Sequence, residues 1–268
     1  MSSLCARNRF IVADVDVLLP LYRANLPWLR ETLESLQRQT NINWHLVAVI
    51  HGQDAGMSDL INSFSFSATV LSAPEEGNLS DTLNAGLAHC TAPFVARIDQ
   101  DDIAEPSRLA RQCAELNRDS NCVVLGSNAT LIDESGQVIG ERLLPESADD
   151  VLRMMRWKAA VMHPTVTFRT ESIRAAGGYS PVAANVEDYD LWLRALRHGT
   201  IRSLPDKLLR YRLHGNQMTQ TKKISKASAR VVRDSRLALA RARGESVLAA
   251  RFRQGVWAAK QTGRRWTR

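Results

Sequence analysis

Cysteine is scarce in this chain and is not spaced for chemistry. Its four residues, Cys5, Cys90, Cys113 and Cys122, form no C-x-x-C pair and no Cys/His ligand spacing. A zinc site and a disulfide framework are therefore excluded, in favour of buried or incidental thiols in a reducing cytoplasm. No apolar run approaches the ~18 residues of a membrane-crossing helix. The N-terminus has no signal-peptide core, so a cytoplasmic location is expected. Glycine-rich phosphate loops are missing too. No G-x-G-x-x-G follows the first apolar strand and no G-x-x-x-x-G-K-[ST] occurs anywhere, which removes the main support for a dinucleotide-binding or P-loop protein.

What is present is a chain of 268 residues, 44% hydrophobic, long enough for one large domain or one domain with an appendage. Its net charge of +7 is unevenly spread. From Lys222 to Arg268 there are 14 Lys+Arg against two acids, Asp234 and Glu245, leaving 21 Lys+Arg against 26 Asp+Glu in residues 1–221. A mildly acidic body, residues 1–221, thus carries a basic C-terminal arm, residues 222–268, and the asymmetry is a signal about partners.

The body alternates strand-like and helix-like segments. Asp16 to Tyr22 predicts a buried strand leaving into a loop. Leu26 to Gln39 has helical spacing, with Leu29, Leu33 and Leu36 on one face. Strands follow at Trp44–Ile50 and Ala68–Leu71, a helix over Leu79–Cys90 with Leu83 and Leu87 inward, and a strand at Pro93–Ile98. Val123–Gly126 and Ala129–Ile132 predict two further strands, with a helix near Val151–Met155. Such alternation implies βαβ units in an α/β fold with a doubly wound, mostly parallel sheet. In these sheets ligands sit at the carboxyl ends of the strands.

The fourth strand ends in three carboxylates, Asp99-Gln-Asp101-Asp102. Like charges so close repel one another and cannot be held unpaired in an interior. Hard oxygen ligands suit Mg²⁺ or Mn²⁺, which bind through one or two carboxylates plus substrate phosphates. Taken alone the run also fits a polar turn in which Asp102 caps the next helix. A second acidic run, Glu187-Asp188-Tyr189-Asp190, fits an acidic helix N-terminus. It also fits a carboxylate that accepts a proton from a hydroxyl in a cleft. His214 is a lone histidine that becomes a possible ligand if it lies near a metal.

In this order the segments resemble the family 2 glycosyltransferases with a GT-A fold, and among them bacterial enzymes of capsule, exopolysaccharide and O-chain assembly. The resemblance runs from about Asp16 to Gln220. It rests on Val17-Leu-Leu-Pro20-Leu-Tyr22, on the leucine helix ending in Gln39-Thr40, and on Gly77-Asn-Leu-Ser-x3-Asn84-Ala-Gly86. It continues through Arg97-Ile-Asp-Gln-Asp-Asp-x3-Pro106-x-Arg108, His163-Pro-Thr, Gly178-Tyr, Glu187-Asp-Tyr-Asp-Leu-Trp-Leu-Arg194 and Tyr211-Arg-Leu-His214.

The resemblance implies a metal-dependent, inverting transfer of a sugar from a nucleoside-diphosphate sugar to a hydroxyl of a glycan or lipid-linked acceptor. Asp99 would meet the donor nucleotide, Asp102 would hold the loop or help bind the donor, and Asp101 and His214 would bind the metal, Mn²⁺ or Mg²⁺. Asp188 would be the base, with Glu187 its nearest rival. Pro20, Tyr22 and Asn84 would line the nucleotide pocket, while Arg97 and Arg108 would serve the phosphates or act as structural ion-pair residues. One departure stands out. Where the family commonly has an Asp-Asp-Gly-Ser segment, this chain has Ile50-His51-Gly52-Gln53-Asp54. A histidine can hydrogen-bond a base but cannot reproduce a carboxylate accepting from uracil N3–H, which leaves the donor nucleotide open.

The alternatives are a nucleotidyltransferase of similar sheet topology and a non-catalytic nucleotide-sugar-binding or scaffold protein. The first lacks a basic Gly-rich loop and gives Glu187-Asp188 no role; only His51 favours the second. The arm, outside the resemblance, mixes Val231, Val232, Leu237, Leu239, Phe252, Val256, Trp257 and Trp266 with basic residues. This suits either an interfacial helix on an anionic membrane surface or a helix packed on the body. No nucleic-acid-binding module accompanies the charge.

Overall fold

The computed structural model describes residues 13–73, 76–215 and 224–263, with side chains through residue 259. Cys5, Lys222 and Trp266, and the expected boundary between residues 221 and 222, lie outside the described residues. Four strands, β1 (Val15–Leu21), β2 (Trp44–Ile50), β3 (Ala68–Ser72) and β4 (Phe94–Arg97), run parallel in the order β3-β2-β1-β4. Helices α1 (Leu26–Gln37), α2 (Met57–Asn62) and α3 (Leu79–His89) make the three crossovers.

Every residue of β1 is buried, as expected of a central strand covered on both faces. Val15, Val17, Leu19 and Leu21 pack with Leu29, Leu33 and Leu36 of α1 and with Met57 and Ile61 of α2. Leu18 turns to the opposite face and meets Leu83 and Leu87 of α3. The period of two in the strand thus assigns alternate residues to two cores. Asp16, buried in the same strand, accepts the Thr91 and Ala92 amides at 2.6 and 2.8 Å and anchors the turn into β4.

Beyond β4 the sheet becomes mixed. After β5 (Ile103–Ala104) and α4 (Arg108–Arg118) come β6 (Cys122–Ile132), β7 (Val138–Arg142), α5 (Ala148–Met155), β8 (Thr167–Arg169), α6 (Thr170–Ala175), α7 (Glu187–Ala195) and β9 (Thr200–Arg212). The order continues β4-β8-β6-β9-β5, with β7 paired to β6 as a hairpin. Strands β8 and β5 are antiparallel to their neighbours, whereas β9 is parallel to β6. The result is a largely parallel α/β sheet.

Two local expectations change. The predicted strands at 123–126 and 129–132 are one strand, β6, whose register slips at Ser127/Asn128 against β9. Asp102 caps no helix, because α4 starts at Arg108 with Ser107 at its N-cap.

The chain ends in α8 (Lys226–Ala242) and α9 (Val247–Gly263). Val232, Leu239 and Trp257 from these helices join the core around Tyr189, Leu191 and Trp192 of α7. The described part of the basic arm is therefore packed on the body. Among the described residues no helix is long and apolar enough to cross a membrane.

Candidate active site

Strands β1, β2 and β4 end along one edge of the sheet, with Leu21 beside Ile50 and Leu18 beside Arg97. Pro20 is buried within β1 opposite Val49. The His51 amide donates to the Leu21 carbonyl at 2.9 Å, and its ring lies 5.5 Å from that of Tyr22. His51 Nδ1 is buried without a hydrogen-bond partner among the described residues. Asp54 is no substitute for a base-reading carboxylate, because its oxygens hold the Ser58 amide at 2.9 Å and the Ser58 hydroxyl.

Gln100, which sequence reasoning passed over, joins this edge to the acidic run. Its amide oxygen accepts the Tyr22 N–H at 2.9 Å and its Nε2 donates to the Tyr22 carbonyl at 3.0 Å. The available signal was its place as the single non-acidic residue inside the run.

Asp99, Asp101 and Asp102 each offer an oxygen, and the three lie within 4.8 Å of one another. Asp99 pairs with the buried Arg97. Asp101 Oδ2 is 2.6 Å from His214 Nε2. Asp102 is fully buried; its Oδ1 accepts the Arg212 amide at 3.0 Å, while Oδ2 has no partner among the described residues. Burial, then the charge of Asp99, raises the pKa of Asp101, with the His214 hydrogen bond opposing. Burial and the two neighbouring carboxylates push Asp102 well up. Crowded carboxylates of raised pKa, one with an orphaned buried oxygen, suit a hard divalent cation.

Strand β9 delivers the other side of this cluster. Arg212, fully buried, donates from Nε to the Asp101 carbonyl at 3.0 Å and from Nη1 to the Asp133 and Glu134 carbonyls at 3.2 and 3.1 Å. Its fork ends on Glu31 at 2.5 Å, and Trp28 stacks near both Arg212 and His214. Arg212 thus fixes the carboxylate loop while His214 faces it.

The second acidic run forms the N-terminus of α7 beyond the sheet edge. Glu187 is buried and Asp188 partly open. Burial, then the charge of Asp188, raises Glu187 to about 7. Burial also raises Asp188, opposed by the Tyr189 amide and by the Arg97 charge, while the charge of Asp99 adds to the rise. Arg97 is the shared neighbour. It lies within electrostatic reach of Asp99, Asp102, Glu187 and Asp188. Its Nε and Nη1 have no hydrogen-bond partner among the described residues. The same positive charge, after burial, pushes His163 well below its ordinary pKa, so its neutral ring shares a 2.8 Å hydrogen bond with Tyr179.

Two expected phosphate- or nucleotide-facing residues occupy other posts. Arg108 is structural: it donates to the Arg97 carbonyl at 2.7 Å and to Gln112 at 3.2 Å. Asn84 spends its amide on the turn before α7, accepting the Tyr179 N–H at 2.8 Å and donating to the Tyr179 carbonyl at 2.7 Å. The reason is the tight Gly178 turn, which leaves two backbone groups facing α3.

The model of the family described as glycosyl transferase family 2 matches residues 16–170. The chain belongs to glycosyl transferase family 2. As a family 2 glycosyltransferase it is similar to the amylovoran biosynthesis glycosyltransferase AmsE of Erwinia amylovora. The two are 34% identical over 204 residues, 74% of this chain and 75% of AmsE. It is also similar to the O-antigen biosynthesis glycosyltransferase WbnJ of Escherichia coli, 29% identical over 216 residues, 78% of this chain and 83% of WbnJ. Among solved structures, S. aureus TarS 1–349 in complex with UDP-GlcNAc superposes with a TM-score of 0.67 at 16% identity, covering 85% of this chain and 66% of that one. That likeness shows the fold alone, and the chain spans about two thirds of that structure's length. The family 2 match ends before α7, β9 and the C-terminal helices, so Glu187, Asp188, Arg212 and His214 lie outside it.

Proposed function

We propose that this glycosyltransferase moves a sugar from a nucleoside-diphosphate sugar to a hydroxyl of a glycan, or lipid-linked glycan, during bacterial surface polysaccharide synthesis. The names of AmsE and WbnJ support the polysaccharide context. The observation that carries the reading is the convergence of Asp99–Asp102 and Glu187–Asp188 around the one guanidinium of Arg97.

In this reading Asp101 and His214, with Asp102 beside them, would hold Mn²⁺ or Mg²⁺. Such an ion supplies Lewis-acid stabilisation of charge on a departing diphosphate. Asp99, held by Arg97, meets the donor, and Pro20, Tyr22 and His51 form the nucleotide wall. Asp188 takes the acceptor hydroxyl proton on its carboxylate. The hydroxyl oxygen then bonds the anomeric carbon as the bond to the diphosphate oxygen breaks, inverting the configuration. Glu187 supports this division of labour. Burial and the charge of Asp188 raise Glu187 to about 7, and burial raises Asp188 as well, so the two carboxyls titrate as a pair that carries and stores the acceptor proton. Asn84 and Tyr179 brace the turn behind that base. Residues 1–221 form the catalytic body in this assignment. The arm, residues 222–268, turns its exposed Leu248 and Phe252 toward an anionic membrane surface, and no nucleic-acid partner is assigned.

Metal-dependent hydrolysis of UDP-, GDP-, dTDP- and CDP-sugars tests the reading and identifies the nucleobase that His51 leaves open. Turnover of one donor, lost on chelation, is expected. Absence of both binding and turnover across the four with Mn²⁺ present would overturn it.

A further inference from the structure

The loop and helix turn that carry Glu187 and Asp188 are anchored from the C-terminal helices, outside the family-matched region. On the upstream side, Ser228 of α8 is fully buried and directs its hydroxyl at the carbonyls of Val182 and Ala184, 3.2 and 3.0 Å away. On the downstream side, Ser235 of the same helix donates to Asp190 Oδ1 at 2.6 Å. The fully buried Asp190 is completed by Arg194, at 2.7 and 2.9 Å on its other oxygen.

One residue further along α8, Arg236 is 5% exposed and reads Tyr189. Its Nε and Nη2 donate to the Tyr189 hydroxyl at 3.0 and 2.5 Å, Nη2 also reaches the Trp157 carbonyl at 2.9 Å, and Nη1 donates to Gln254 of α9 at 2.5 Å. The guanidinium lies over the rings of Tyr189 and Trp257, 5.1 and 5.0 Å from their centroids. The Tyr189 hydroxyl donates its own hydrogen bond to the Met155 carbonyl at 2.7 Å, which leaves its oxygen to accept from Arg236.

Glu187 and Asp188 therefore sit between two sets of polar anchors, at 182–184 and at 189–190, both supplied by one helix. The segment needs them, because residues 184–186 are irregular and Asn185 has φ +67°. Apolar packing alone would bury α7 as well but would let it slide, whereas buried charge-assisted hydrogen bonds fix both distance and direction. A carboxylate displaced by about 1 Å can lose on the order of 100-fold in rate.

We propose that the α8–α9 pair is a positioning element for the catalytic base, with Ser235 and Arg236 as its positioning residues. This rests on the assignment of Asp188 as base. The basic arm thereby becomes part of the active-site architecture, with its aromatic residue Trp257 clamping the guanidinium that holds the turn.

The test uses the full chain with Ser235→Ala and Arg236→Met, separately. Amide hydrogen exchange of the apo protein is expected to rise in the 183–192 segment and to stay unchanged in the 15–21 and 94–104 segments. On whichever nucleotide sugar the wild type hydrolyses with Mn²⁺, kcat should fall about tenfold or more while KM for the donor stays within about twofold. Unchanged exchange at 183–192 in both variants would overturn the proposal, as would a rise spread equally over the sheet or a change confined to KM. A wild type that hydrolyses no donor counts against the glycosyl-transfer reading, while the exchange pattern still decides whether the arm holds the turn.

Discussion

Asp101 Oδ2 and His214 Nε2 stand 2.6 Å apart although 113 residues separate them in the chain. A buried carboxylate of raised pKa hydrogen-bonded to an imidazole nitrogen is the pair that the proposed function assigns to a divalent cation.

Replacing either member should weaken cation binding. Asp101→Asn is expected to raise the apparent Kd for Mn²⁺ at least tenfold and to abolish metal-dependent turnover; His214→Ala should weaken binding less, by about tenfold. The Mn²⁺-induced rise in Tm reports both. Equal rises in wild type and Asp101→Asn would remove Asp101 from the site.

Asp188→Asn should lower kcat by roughly 10²–10⁴, the ordinary share of a positioned base, while leaving donor binding intact. Glu187→Gln should cost less, since Glu187 is not the assigned base. Single-turnover transfer together with donor calorimetry separates the two roles. Normal transfer by Asp188→Asn would move the base elsewhere.

Glu187 also predicts a pH dependence of stability. Its carboxyl ordinarily titrates at 4.5 but reaches about 7 in the fold, through burial and then the charge of Asp188. Between these values the folded state keeps a proton that the unfolded chain releases, so stability falls as the pH rises through this window. Glu187→Gln removes the penalty. It should match wild type in stability near pH 4.5 and exceed it at pH 8, by on the order of 1–3 kcal/mol and with a correspondingly higher Tm. Equal Tm values at both pH values would contradict this.

Gly178→Ala should loosen the turn behind α7. Gly178 has φ +63°, and a Cβ there would lie 2.8 Å from Asn84 Oδ1. The substitution combines backbone strain with loss of the Asn84–Tyr179 clasp, for a cost of about 1–3 kcal/mol in chemical denaturation. Ala at Gly52, whose added Cβ meets nothing within 4 Å, should pay only the strain of its φ of +81°.

For the membrane assignment, removing the arm would strip Val232, Leu239 and Trp257 from the core, so point changes are the sounder probe. Leu248 and Phe252 are 75% and 69% exposed. Leu248→Ser with Phe252→Ser should reduce flotation with phosphatidylglycerol vesicles several-fold. Recovery equal to wild type would sink the assignment.

The parallel half of the sheet was legible because β1, β2 and β4 are largely buried and read as apolar runs interrupted only by Asp16, His45 and Arg97. Strand β6 was not read whole, since Ser127 and Asn128 interrupt its run; both are buried and satisfied by hydrogen bonds. The carboxylates were legible as a cluster, whereas their supports were not. Arg212 and Arg236 look like solvated charges in a line of letters, and only tertiary contacts reveal them as buried forks. Asn84 was visible as part of a motif, but its partner Tyr179 lies 95 residues away.

The contacts around the acidic run also tie together distant stretches of chain. Asp101 meets His214 across 113 residues, and Glu31 meets Arg212 across 181. Closing contacts of such sequence separation costs more chain entropy than closing a local βαβ unit. A chain emerging from synthesis carries all three clustered carboxylates once it passes residue 102, yet it lacks His214, Arg212 and the two C-terminal helices. Until residues 212–257 are made, the candidate carboxylates stand without the arginine, the histidine and the helices that hold them in the fold.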